Sequence, residues 1–435
     1  MTKNERKINV VTLGCSKNIV DSEVLMKQLD INGWKVVYDS NDLSAKYVII
    51  NTCGFISDAK EESIETILNF INAKRKGVIN KVYVMGCLSQ RYKAELEKEM
   101  PEVDGYYGVS DLQIILKDID SKYFQESTTN RLISTPKHYA YLKIAEGCNW
   151  GCSYCAIPLI RGKYKSRSID SLVEEGILLV NQGVKEIIII AQDTTYFGLD
   201  STGKRKLAEL LTALSTINGL EWVRLQYTYP AHFPLDLMDI VNTNPKVCKY
   251  IDIPFQHITD RMLRIMRRGI SKDETINLIK TLRKEIPGVT LRTTLIVGHP
   301  GESEDDFNKL VDFVRDMKFE RLGVFKYSEE EGTYSALQYH DTITDEIKET
   351  RYNKLMSIQQ EISQELNSQM VRKTIKVIVD RKEDQLLICR TEGDSPEVDQ
   401  EVLVDNPGRN VQTGDFLKVK ITSYDNYDLY GKVDE

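Results

Sequence analysis

Cys148, Cys152 and Cys155 stand in the stretch "AEGCNWGCSYCAIP" with the spacing C-x3-C-x2-C and no fourth cysteine or histidine in reach. Gly147, Asn149, Gly151 and Ser153 surround them, so the stretch is a polar loop rather than an apolar face. A structural zinc site closes its sphere with four protein ligands. Three thiolates suit a different group. An iron–sulfur cubane has four irons, normally four cysteines, and here one iron is left without a protein ligand. An open coordination position marks a reactive metal site, so the vacancy predicts where a substrate or cofactor binds.

Cys15, Cys53 and Cys87 are far apart in sequence yet alike in context, each ending a short β-rich run: "VTLGC", "INTCG" and "VMGC". The carboxyl ends of parallel strands share one edge, where ligands bind, so the three can meet there. Gly14, Gly54 and Gly86 flank them and suit tight turns and close backbone approach. The plain alternative is three coincidental core cysteines; the equivalence of the positions favours a second open cluster. Cys248 and Cys389 sit in apolar surroundings without a partner pattern and read as structural. His138, His232 and His340 give no site signal.

These residues need elements to hold them. Residues 1–133 alternate strand-like runs ("INVVTL", "YVIINT", "VYVMG") with helical ones ("DSEVLMKQLDIN", and "SDAKEESIETILNFINAKRK" capped at Ser57 or Asp58). That pattern predicts an α/β domain on a parallel sheet. The polar stretch "QESTTNRLISTPKHY" reads as a linker. Residues 134–369 carry six strand-like runs, from "YAYLKIA" to "RLGVFKY", between helical patterns near 168–182, 205–217, 234–243, 260–268, 272–285 and 303–317. This predicts a partial (β/α)6 barrel with its chemistry at the carboxyl ends of the strands. One long capped helix over "TDEIKETRYNKLMSIQQEISQELNSQM" follows. Residues 370–435, about five strands between turns, read as a small all-β barrel of the oligonucleotide-binding kind.

The 435 residues carry 58 Lys and Arg against 65 Asp and Glu, a net charge of -7, which argues against a surface that grips nucleic acid throughout. Eight cysteines in so long a chain do not make a disulfide scaffold. The longest aliphatic run, Ile187 to Ile190, is far below the ~20 residues of a membrane helix. The start, "MTKNERKINV", lacks the apolar segment of a signal peptide. A cytoplasmic protein is expected.

With its C-x3-C-x2-C loop after the first barrel strand, the chain resembles the radical S-adenosylmethionine (SAM) superfamily. The resemblance implies that the free iron chelates the amino and carboxylate groups of SAM. One electron then cleaves SAM to methionine and a 5′-deoxyadenosyl radical. Tyr154, the aromatic before the third cysteine, is expected against the adenine. Gln192 and Asp193, after "EIIIIA", are further candidates for binding SAM, with helix capping and loop polarity as the alternative for these two; Gln256, after "YIDIPF", is a candidate to line the pocket.

The three-part architecture is similar to the methylthiotransferases. "LGCSKNIVDSE", "GCLSQRY", "IPLIRGKYKSR", "VCKYIDIPFQH" and "LRTTLIVGHPGE" resemble the branch that modifies a ribosomal protein. Ser16 stands where many members have proline, and His299 where phenylalanine is usual; neither removes a metal ligand. The resemblance implies two 4Fe–4S clusters, on Cys148, Cys152 and Cys155 and on Cys15, Cys53 and Cys87, with SAM as both methyl donor and radical source. It implies a methylthio group placed on the β-carbon of one aspartate in small-subunit ribosomal protein twelve. It also implies a C-terminal TRAM domain that binds substrate, and an external one-electron donor such as flavodoxin or ferredoxin. No membrane contact and no stable nucleic-acid binding are expected. Two alternatives stand beside this: a tRNA-modifying methylthiotransferase, whose members usually read "GCQMN" where this chain has Gly14 to Asn18, and a non-catalytic iron–sulfur or RNA-binding protein.

Residues 370–435 hold 10 Lys and Arg against 14 Asp and Glu, a net charge of -4, which suits a basic protein partner. Glu392, Asp394, Glu397, Asp399 and Glu401 are the expected contacts, on a module removable without loss of either cluster.

Overall fold

Five parallel strands, β1 (Lys7–Thr12), β2 (Lys35–Tyr38), β3 (Tyr47–Thr52), β4 (Lys81–Gly86) and β5 (Gly105–Tyr106), form the first sheet in the order β2-β1-β3-β4-β5. The computed structural model describes residues 6–40, 44–406, 408 and 410–434. The first five residues, part of the start read above for a signal segment, lie outside that range. β1, β3 and β4 are near-continuous apolar runs because both of their faces are covered. Helices α1 (Ser16–Ile31) and α4 (Leu112–Asp118) bury Leu25, Leu29, Ile115 and Leu116 against Ile8, Val10 and Ile49. On the other face α2 (Ser57–Arg75) and α3 (Cys87–Glu99) bury Ile67, Ile71, Leu88 and Leu96 against Val48, Ile50 and Val84.

Two local expectations change here. Ser57 is the first residue of α2, whose N-cap is Ile56 with no side-chain cap bond. α1 starts at Ser16, well before the apolar pattern, because the buried residues of its first turn, Ser16, Lys17 and Asn18, are polar.

The central sheet runs β6 (Tyr139–Lys143), β9 (Glu186–Ile190), β10 (Trp222–Leu225), β11 (Val247–Asp252), β12 (Thr290–Val297) and β13 (Arg321–Lys326), all parallel and in sequence order. The sheet stays open between β6 and β13, the expected partial barrel. A short antiparallel ribbon of β7 (Ala145–Glu146) and β8 (Lys165–Ser166) frames the cysteine loop and its helix α5 (Ile157–Arg161). Alternate strand residues such as Leu142, Ile189, Leu225, Ile251 and Leu295 join the main core. The opposite faces of β6 and β9 (Tyr139, Tyr141, Ile188 and Ile190) receive Val20 of α1.

The polar stretch between these sheets is no free linker. The fully buried Arg131 pairs with Glu23 of α1 and with Glu175, and donates to the carbonyl of Tyr141 on the edge strand β6. One guanidinium thus fastens the first sheet to the second and occupies a carbonyl that an edge strand would otherwise expose.

After the long helix Asp345–Ser368, capped by Thr344, five strands close the last unit: β14 (Thr374–Glu383), β15 (Leu386–Thr391), β16 (Val402–Asp405), β17 (Phe416–Tyr424) and β18 (Leu429–Val433), in the order β14-β15-β16-β18-β17. This barrel docks under the amino ends of the central strands, opposite the cysteine loop. Arg390 pairs with Glu186, which also holds Arg224. Arg321 donates to Asp394 over 2.5 and 2.8 Å, Arg292 to Asp399 over 3.2 Å, and Tyr139 to Glu397 over 3.0 Å.

The expectation of an outward acidic patch is therefore corrected. Asp394 is fully buried, the Asp399 side chain is nearly so, and Glu397 bonds to β6. Segment 391–400 is a wedge that neutralises arginines of the central sheet. Only Glu392 and the Arg381-paired Glu401 keep no bond to that sheet through their carboxylates among the described residues. Cys248 and Cys389 are buried, as expected of structural cysteines. Among the described residues no helix is long and apolar enough to cross a membrane.

Candidate functional site

β1, β3 and β4 are neighbours, so the residues that follow them share one edge. Cys15 is the N-cap of α1, Cys53 follows β3, and Cys87 opens α3. Strand order reverses between β1 and β3, where open parallel sheets leave a crevice for ligands. Gly14 lies at φ +90°, and a Cβ there would stand 2.7 Å from the Cys53 Cβ. Only glycine lets these two turns approach. Burial raises the pKa of Cys53, and Cys15 adds to it; Cys15 and Cys53 likewise add to the rise at Cys87. Burial is the larger cause and pushes the Cys87 thiol up to about 12. Arg161 opposes it, its Nη2 donating to the Cys87 Sγ over 3.5 Å.

The second triplet lies on the loop between β7 and α5, pinned from three sides. The Cys148 N–H donates to Gly162 O over 3.0 Å, and that of Ser153 to Met266 O over 3.1 Å. The carbonyl of Ser153 accepts from the Ser335 N–H over 2.7 Å. Trp150 stacks on Tyr229 with ring centres 4.0 Å apart. Arg268, buried beneath, donates from Nη1 to the Cys152 Sγ over 3.2 Å and to the Tyr154 hydroxyl over 3.4 Å. Burial pushes Cys148 up to about 12 and raises Cys155 as well. Each triplet thus has one buried guanidinium aimed at a cysteine sulfur.

The two triplets are joined. α5 starts two residues after Cys155, and its five residues span about 7 Å. Ala156 and Ile160 share one buried apolar cluster with Cys87. Arg161, at the end of α5, also donates to Glu146 over 2.8 Å, to Asn18 Oδ1 over 2.7 Å and to Asp21 over 3.2 Å. A second bridge runs through Arg91 of α3, which donates to Gly54 O over 3.1 Å and to the buried Glu330 over 2.5 Å. Glu330 leads into the helix Tyr334–Gln338, whose Ser335 holds the cysteine loop.

Tyr154 stands between two cysteines, half-buried, with its hydroxyl on Arg268. Gln192 is half-buried just after β9. The Asp193 carboxylate is occupied: it accepts from Trp150 Nε1 over 2.6 Å and from Thr195. Burial raises its pKa above the ordinary carboxylate value. Gln256 sits at φ +72° with its buried Oε1 unpartnered. Sequence reasoning missed Arg161, Arg268, Asn18 and Lys17, the last with its ammonium 3.0 Å from the Tyr227 ring centre. Arg161 lies inside "IPLIRGKYKSR", but no spacing rule ties that arginine to Cys87.

All six cysteines are free thiols. Among the described residues no three such side chains converge on one ion position. A cubane takes each of its cysteines on a different iron, so its thiols stand apart around a common space. The guanidiniums beside Cys87 and Cys152 suit an anionic cluster.

Residues 142–314 match the radical SAM superfamily, residues 7–108 match "uncharacterized protein family UPF0004", and residues 371–433 match the TRAM domain. The chain is 52% identical over 426 residues to the ribosomal protein uS12 methylthiotransferase RimO of Phocaeicola vulgatus, covering 98% of this chain and 99% of that one. It is 51% identical over 435 residues to the protein of the same name from Parabacteroides distasonis, covering both chains fully. Among solved structures it is similar to the radical SAM methyltransferase TsrM of Kitasatospora setae: TM-score 0.57, 15% identity, 77% of this chain and 74% of that one. The cobalamin-dependent SAM radical enzyme OxsB aligns with TM-score 0.52 at 12% identity, over 83% of this chain and 56% of that one. At such identities these two likenesses establish the fold alone.

Proposed function

Because the chain belongs to the ribosomal protein uS12 methylthiotransferase family, we propose that it replaces a hydrogen on the β-carbon of one uS12 aspartate by a methylthio group. The observation that carries this reading is the pair of cysteine triplets on the carboxyl edges of two sheets, bridged by α5 and Arg161. Cys148, Cys152 and Cys155 would hold one 4Fe–4S cluster, and Cys15, Cys53 and Cys87 the other. Bound there, the first cluster would supply one-electron chemistry for reductive cleavage of SAM, and the second would carry the sulfur that is methylated and transferred.

The protein's own residues position and shield. Arg268 holds the Cys152 sulfur and the Tyr154 ring in fixed relation, so the ring can face an adenine. The unpartnered Gln256 Oε1 is a buried acceptor and fits a donor group of SAM. Asp193 acts through Trp150, keeping the cysteine loop closed over Tyr229. Gln192 lines the same edge. Membership of the family supports SAM as both methyl donor and radical source; the radical is required because an unactivated C–H bond lies beyond the reach of acid–base side chains near pH 7. The electron comes from an external one-electron carrier such as flavodoxin or ferredoxin. The site of action is the cytoplasm, without membrane contact or stable nucleic-acid binding. The TRAM barrel binds substrate through surface outside its docked wedge.

The test is an anaerobic reaction of the reconstituted full-length chain with SAM and a reductant, given uS12 in one arm and tRNA in the other. Mass spectrometry should find one methylthio group in place of hydrogen on a uS12 aspartate. Unmodified uS12 together with a methylthiolated tRNA adenosine would replace this reading with the tRNA one.

A further inference from the structure

We propose that Arg161 is the positioning residue that couples the two cysteine triplets and, through the Cys87 sulfur, raises the reduction potential of the cluster on Cys15, Cys53 and Cys87. The proposal rests on the two-cluster reading above and adds a residue to it. The Arg161 side chain is almost fully buried, at 1% exposure, so its charge is poorly screened. It faces Asp21 and Glu146, which also receive Lys143. These four charges balance.

Arg161 is the member of this network within hydrogen-bond reach of a cysteine sulfur among the described residues. The Cys87 thiol can donate its own proton to Asn18 Oδ1, 3.8 Å away. A sulfur bound to iron has lost that proton and can only accept, which leaves Arg161 as its donor. Reduction adds negative charge to a cluster. A cation and a donor at its sulfur favour the reduced form and raise the potential. The other end of Arg161 is covalently close to the first triplet, since α5 begins beside Cys155 and Glu146 precedes Cys148 by two residues. A shift of one triplet therefore moves the charge that the other feels.

The experiment is an anaerobic redox titration, followed by electron paramagnetic resonance, of full-length protein carrying Cys148→Ala, Cys152→Ala and Cys155→Ala. Only the second cluster then gives a signal. Arg161→Gln should move its midpoint potential to more negative values, and Arg161→Lys should move it less, because the charge survives. Asp21→Asn removes an anion from the same network and should move the potential the other way. A purely structural role would not give opposite signs. An unchanged potential in Arg161→Gln with full iron content overturns the proposal, as does a shift of Arg161→Gln and Asp21→Asn in one direction. Should Arg161→Gln fail to take up iron, Arg161→Lys and Asp21→Asn decide by the same signs. If the parent triple-alanine protein binds no cluster, the two-cluster reading itself is refuted.

Discussion

Asp394→Ala should destabilise the protein strongly although Asp394 belongs to a segment that looks like a solvated acidic loop. The carboxylate is fully buried, while the Arg321 side chain is 16% exposed. Asp394 accepts from Arg321 over 2.5 and 2.8 Å and from the Thr391 hydroxyl over 2.5 Å. Removing one partner of a buried pair costs about 3–5 kcal/mol, because the other charge stays behind unpaired. The partial exposure of Arg321 puts the expectation near the lower end, about 3 kcal/mol. Asp394→Asn keeps the shape and loses the charge, and should cost less. Glu392→Ala, at an exposed position of the same wedge, should stay within about 0.5 kcal/mol. Urea unfolding of the full chain, followed both by tryptophan fluorescence and by circular dichroism, measures all three. A difference below about 1 kcal/mol between Asp394→Ala and Glu392→Ala would refute the docked wedge. The same docking predicts that a chain ending before Val371 loses central-domain stability, since Glu186, Tyr139, Tyr250 and Arg321 all lose partners.

Triple alanine replacement of Cys148, Cys152 and Cys155 should halve the iron content and abolish SAM cleavage. Replacement of Cys15, Cys53 and Cys87 should halve the iron but leave reductive SAM cleavage; iron analysis and detection of 5′-deoxyadenosine check both. Tyr154→Ala should weaken SAM binding by about 1 kcal/mol if the ring meets adenine, without loss of iron, and an unchanged dissociation constant would make Tyr154 a packing residue. His299, whose Nδ1–H donates to Pro300 O and whose Nε2 lies 2.8 Å from the Ser335 hydroxyl, is held neutral, because burial pushes its pKa down to about 4. The unfolded chain binds the proton at higher pH, so this stability is complete above about pH 6.5 and is lost as pH falls toward 4, about 3 kcal/mol in all. The stability gap between wild type and His299→Phe should shrink over that window, and a gap independent of pH would contradict the assignment.

Much of the architecture is legible in local pattern. The apolar runs that became β1, β3 and β4 are buried on both faces, and the six β/α alternations of the centre are long enough for their period to show. β2 and β5 leave little trace in the sequence, because "KVVY" is partly exposed and β5 has only two residues. The cysteines were readable through their positions at strand ends. Arg161 and Arg268 were not, since a guanidinium that meets a sulfur across 74 or 116 residues leaves no periodic trace. The acidic wedge misled for a related reason: composition records charge but not whether the opposite charge waits inside the same molecule. Arg131 was hidden in a stretch whose polarity mimics a tether.

The floor of the central barrel has a bearing on how the chain comes into being. Synthesis delivers the six central strands well before residues 390–400, and domains generally fold as they emerge. Until those last residues arrive, Glu186 has one guanidinium instead of two, and Arg321 lacks the carboxylate of Asp394. A nascent chain at that stage has its metal-ligating thiols assembled above an unfinished base. Completion of the barrel therefore waits until residues 390–400 have been synthesised, and a chain cut short before them is open at the end opposite its chemistry.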